Sequence, residues 1–178
     1  MPLYEFEGKR PTIHPSAWVA PSADIIGSVR IGPQCYVGWG AILRGDHGSI
    51  ELQEGTAVEE GVIIHTPKEF TSRFGKQTTL GHGAMLHGAT VEPFAVIGMR
   101  ATIANFGVVG EWSIIGEAGL VKNSQVIPPH SVAVGQPVKV IGDITEAHKE
   151  KWRSGKQAYM DFAMRNQKSL RLIEDEGV

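Results

Sequence analysis

Three histidines offer the most direct chemistry in this chain: His65, His82 and His87. His65 follows Ile64, and the other two sit in the stretch Leu80-Gly-His-Gly-Ala-Met-Leu-His-Gly-Ala-Thr90. Neutral imidazole is a strong zinc ligand, and three histidines with a fourth position left open is a common catalytic zinc arrangement. A metal held in this way lowers the pKa of its bound water toward ~7 and delivers hydroxide to an electrophile. Whether the three side chains meet depends on how the chain coils.

Large aliphatic residues recur every six positions, as in Ile13, Val19, Ile25, Ile31, Val37 and Leu43. The same beat returns in Leu52, Val58 and Ile64, in Leu80 and Leu86, and from Val91 through Ile97, Ile103, Val109, Ile115 and Val121 to Ile127. The residue four places after each is usually small, and the next residue is often Gly. A period of six fits neither an amphipathic helix nor simple strand alternation. It fits a parallel β-helix of hexapeptides, an all-β solenoid in which three hexads make one triangular coil.

The frame breaks between Leu43 and Leu52, between Ile64 and Leu80, and between Leu86 and Val91. Insertions in a solenoid leave the coil as loops, often beside a functional face. The polar, basic segment Thr66–Thr79, with Phe70 and Phe74 inside it, reads as a candidate lid or rim. The expected organisation is a lead-in over residues 1–12, a β-helix over 13–142 with an insertion at 66–79, and a C-terminal helix over 143–178. Asp143-Ile-Thr-Glu146 has capping-box spacing with Asp in the cap role. The helix is expected to run to about Asp175, with a break near Gly155. Its apolar face is expected to comprise Trp152, Tyr159, Phe162, Ala163, Met164, Leu170 and Ile173.

His65 and His87 share one hexad phase, because each follows the large aliphatic. If the insertion bulges outward they stack one coil apart, about 5 Å, on one face. His82 lies in the preceding hexad, on another side of the triangle. It reaches the other two most easily from a second subunit, and a cyclic homotrimer supplies that contact three times.

The net charge of −2 argues against a nucleic-acid partner held by bulk electrostatics. No apolar run approaches the ~20 residues of a membrane span. The N-terminus does not read as a signal peptide. The lone Cys35 reads as core in a reducing compartment, which points to the cytoplasm.

Leu43-Arg-Gly-Asp46, Ile64-His65 and Gly81-His-Gly-Ala-Met-Leu-His-Gly88, set in hexads, resemble the γ-class carbonic anhydrases. The likeness is greater to their bacterial relatives encoded with phenylacetate-degradation and carnitine operons. It implies a left-handed parallel β-helix and a homotrimer with Zn2+, or Fe2+ or Co2+, at each interface. His65 and His87 would come from one subunit and His82 from its neighbour. Arg44 and Asp46 match a pair that orders the surroundings of the metal-bound water, and Tyr159 falls where the family places a helix tyrosine. The chain departs from the pattern with Glu59 in place of Gln, Ala57 in place of Asn, and His47 after Asp46 in place of Glu. Glu59 brings a carboxylate that could accept a proton from the metal-bound water. The expected function is reversible CO2 hydration. The alternatives are an acyl-coenzyme A thioesterase, a hexapeptide-repeat acyltransferase using one histidine as general base without metal, and a metal-binding protein with little catalysis. All take a small-molecule substrate or none.

Overall fold

The computed structural model describes residues 1–173. Each hexad forms a short strand and a corner, and three faces wrap one core. The first face stacks Trp18–Val19, Tyr36–Val37, Ala57–Val58, Thr79–Leu80, Val96–Ile97, Ile114–Ile115 and Ser131–Gly135, all parallel. The second face includes Ile63–His65, Met85–His87, Thr102–Ile103 and Leu120–Val121. The third includes Thr71–Phe74, Thr90–Val91, Val108–Val109 and Val126–Ile127. Two longer strands, Asp24–Ile31 and Ile42–Leu52, run round the corner between the second and third faces and join them into one sheet.

The aliphatics of the six-residue beat point inward and stack in columns. Ile25, Leu43, Ile64, Leu86, Ile103 and Val121 form one such column, each at most 1% exposed. Burial of each is worth ~1.5–3 kcal/mol. At most corners one residue takes a positive φ, which sharpens the turn; one corner column runs Gln34, Gly55, Gln77, Phe94, Trp112 and His130. Cys35 lies in the core as expected, and burial pushes its thiol up to about 12.

The insertions differ from their expected extents. The excess after Ile64 ends before Thr71. Thr71–Phe74 pairs with Ser49–Leu52, and Phe74 is fully buried in the third core column. Only residues 66–70 leave the coil, so the expected insertion at 66–79 is too long. The earlier insertion, Asp46–Gly48, falls at the same corner, opposite Ser28. The two therefore stack. A Cβ on Gly48 would collide with the Pro67 and Phe70 carbonyl oxygens, so the residue type locks the bulges together.

The antiparallel pair Ser131–Gly135 and Val138–Asp143 closes the solenoid, and one helix, Glu146–Ser169, follows. Thr145, not Asp143, is its cap; its hydroxyl receives the His148 N–H while the His148 ring receives the Thr145 N–H. The helix passes Gly155 unbroken and ends before Leu170; the expected end at Asp175 lies outside the described residues. It runs back along the first face. Gln167 donates to the carbonyls of Pro15 and Ala17 near the other end. Its buried stripe is Lys156, Met160 and Ala163, whereas Phe162, Met164, Leu170 and Ile173 are exposed. No helix among the described residues is long and apolar enough to cross a membrane.

Candidate functional site

The site residues fall in two groups at opposite edges of the second face. The first group lies at the corner where the two insertions stack. Register places Arg44, His65 and His87 side by side in successive coils. His65 Nδ1 and His87 Nε2 lie 2.9 Å apart. His65 Nε2 lies 3.1 Å from Asp46 Oδ1, and His87 Nδ1 contacts Asn105 Oδ1. Arg44 Nη1 donates to Asp46 Oδ2 at 2.8 Å, and the His47 backbone N–H donates to Asp46 Oδ1 at 2.8 Å.

The Asp46 carboxylate can only accept, so His65 Nε2 carries its proton toward it and His65 Nδ1 keeps its lone pair. The inner nitrogens face each other at hydrogen-bond distance, with His87 Nε2 placed to donate to that lone pair. Such outer partners are how proteins aim imidazoles at a metal. Burial, followed by the Arg44 cation, holds His65 below the ordinary histidine range. Burial opposes ionisation of Asp46, but the His47 N–H, His65 and Arg44 outweigh it and keep the carboxyl below its usual value.

The second group surrounds His82, at the corner between the first and second faces. His82 Nδ1 lies 2.7 Å from Glu60 Oε2, and Nε2 lies 3.0 Å from Glu59 Oε2. The His82 backbone N–H also donates to Glu59 Oε2, at 3.0 Å. The Tyr36 hydroxyl donates to Glu60 Oε1 at 2.6 Å, and Tyr159 stands within reach of the Glu59 charge. Burial and these carboxylates push both tyrosines well above the usual phenol range. Glu59 is buried, while the His82 side chain is 48% exposed. The ring stands at the mouth of a cleft of about 310 Å³, floored by Val96 and Ile114.

The structure thus brings Arg44, Asp46, His65 and His87 together, and separately brings Glu59, Tyr159 and His82 together. It does not unite the three histidines in one chain. Among the described residues no group of three His, Cys, Asp or Glu side chains is arranged to hold a metal ion. The hexad phase also puts Asn105, Glu60 and Tyr36 in contact with the site histidines or their partners, and none of these is singled out by sequence. Asn105 follows His87 by 18 residues, one coil on, and that spacing is the signal that could have found it.

No family model matches the chain. Two solved structures share its fold over nearly its whole length. A putative acetyltransferase from Bacillus cereus superposes with a TM-score of 0.92 at 27% identity, covering 95% of this chain and 98% of that one. A hexapeptide transferase family protein from Anaplasma phagocytophilum gives 0.87 at 28% identity, covering 90% and 95%. The carnitine operon protein CaiE of Salmonella agona is 35% identical over 165 residues, which is 93% of this chain and 83% of the relative. CaiE of Citrobacter koseri is 37% identical over 170 residues, 96% and 86% of the two chains. Hexads, solenoid and whole-length similarity agree, and the chain belongs to the CaiE family of hexapeptide-repeat proteins.

Proposed function

We propose that the protein transfers an acyl group from an acyl-coenzyme A thioester to a small acceptor, with His82 as general base. This reading replaces CO2 hydration as the leading one. The observation that carries it is the His82 ring, held between Glu59 and Glu60 at the mouth of a largely apolar cleft. With Nδ1–H donated to Glu60, the Nε2 lone pair is repelled by the Glu59 carboxylate. The half-exposed ring has room to turn that lone pair toward an acceptor in the cleft. Once it has taken the acceptor's proton, both nitrogens are donors and the two carboxylates stabilise the imidazolium. That is the role an acid plays behind a catalytic histidine. The similarity of this chain to the Bacillus cereus protein, described as a putative acetyltransferase, points the same way.

A panel of acyl-coenzyme A esters, each with an amine, an alcohol or no acceptor, tests the reading. Thiol release that depends on the acceptor and yields acylated acceptor is expected. Thiol release in water alone would make the protein a thioesterase, and no release with any ester would sink acyl transfer.

A second reading rests on the facing inner nitrogens of His65 and His87, which would both be free to ligate once the proton between them is displaced by a metal. Tetrahedral zinc at ~2.0–2.1 Å from each nitrogen needs them about 3.3 Å apart, a small opening from the observed 2.9 Å. The pair fits as two ligands of a divalent metal, with Asp46 and Asn105 holding the rings in place. The third ligand would be the partner copy's equivalent of His82 in a homotrimer. Such a metal, when bound, supplies a hydroxide at neutral pH. Arg44 and Asp46 would then orient His65, and Glu59 beside His82 would accept a proton. Metal analysis of purified protein, wild type and His65→Ala, tests this reading. Equal metal content in the two would exclude the pair as ligands.

A further inference from the structure

We propose that the cleft beside His82 binds an acceptor with a cationic amine head on a short apolar body. The catalytic part of this inference rests on the acyl-transfer reading; the binding part does not. Two carboxylates line the cleft, Glu59 and Glu117, and no Lys or Arg lines it. Glu59 is already committed to the ring and backbone N–H of His82. Glu117 is exposed at the rim and has no ion-pair partner among the described residues. A carboxylate or phosphate head is therefore repelled, and an ammonium head has a free counter-charge.

The rings of Trp152 and Tyr159 also line the cleft. Aromatic faces attract a cation within ~6 Å of the centroid. Below them, the outward-facing side chains of Val96 and Ile114 offer an apolar floor. A volume of about 310 Å³ is at the small end for ligand pockets, so the acceptor has few heavy atoms. Lys156 is an opposing charge, fully buried behind the wall, with Nζ 3.2 Å from Thr79 Oγ1, 3.4 Å from the Ala95 carbonyl and 5.9 Å from the centre of the Trp152 ring, so the open face for a ligand's cation is that of Tyr159. Burial brings the Lys156 pKa down to about 7, so its repulsion is only partial at neutral pH. Arg100, at the same corner, does not line the cleft.

The chemical step balances without another reactant. The bound ammonium first gives one proton to solvent. The neutral amine nitrogen then forms a bond to the thioester carbonyl carbon and the C–S bond breaks. The second amine proton passes to His82 and from there to the departing thiolate, leaving an amide and free thiol.

Calorimetry with butylammonium, butyrate and butanol, without acyl donor, tests the binding. Butylammonium is expected to bind, butyrate not to bind, and Glu117→Gln to weaken butylammonium about two- to fivefold. Equal binding of butanol, or unchanged binding in Glu117→Gln, would overturn the proposal. Butylammonium that binds but is never acylated leaves the cleft assignment standing and removes the acyl-transfer reading. Acylation of alcohols, with amines neither bound nor acylated, does the reverse.

Discussion

At the scale of single residues, Lys156 is the most exposed to test. Its Nζ has two long hydrogen bonds and no carboxylate within ion-pair distance, and burial brings its pKa down to about 7 against the opposing pull of the Glu59 charge. The unfolded chain holds this proton up to about pH 10.5. Between these values the unfolded state binds more protons, so stability rises as pH climbs from about 7 to about 10.5, and the cost is full below that window. Lys156→Met should therefore raise stability near pH 7 by on the order of 1–3 kcal/mol and flatten this rise. Urea unfolding of both proteins across the window checks it; a less stable variant at pH 7 would contradict the burial cost. Sequence could not reveal this lysine, because a charged residue in a helix stripe ordinarily faces water. The pairing of His65 with His87 was legible, since one hexad phase puts two residues on one face whatever the loop does. Asn105 was legible in principle by the same logic, one coil after His87, but Glu60 and Tyr36 were not, because their approach to His82 is set by corner geometry and not by the aliphatic beat.

At the scale of elements, the two stacked insertions shape the corner that holds His65 and His87. Phe74 closes the larger one by filling a core position an aliphatic would normally take. Phe74→Ala should cost ~3–5 kcal/mol in urea unfolding, as a large core truncation. Phe70 lies outside the core, packed edge-on to Phe106 at 5.2 Å, so Phe70→Ala should cost about 1 kcal/mol or less. Equal costs would mean that the strand Thr71–Phe74 is misplaced. The hexad pattern reads aliphatics, so an aromatic at the end of an insertion passes for loop, and the expected lid ran on to Thr79. The helix cap slipped for a similar reason. Asp143 and Thr145 are both good caps by type, and the antiparallel pairing that uses Asp143 in its last register decides between them.

At the scale of the whole molecule, the hexads specify the solenoid almost by themselves, while assembly and activity depend on what the outer surfaces meet. Ile63 and Met85 stand exposed and adjacent on the second face, between the His65/His87 corner and the His82 corner. The proposed homotrimer would cover them. Light scattering should give a trimer for the wild type and smaller species for Met85→Arg; a monomeric wild type would remove the intersubunit metal reading and leave the cleft of each chain intact. The central claim is that His82, in its carboxylate clamp, performs acyl transfer at that cleft. Its most direct test compares amide formation from an acyl-coenzyme A and an amine by the wild type, His82→Gln and His65→Gln, with chelator present. The account predicts a loss of about 10²–10⁴ in kcat for His82→Gln and near wild-type rates for His65→Gln. Full activity in His82→Gln, or loss of activity with chelator or in His65→Gln, would contradict it.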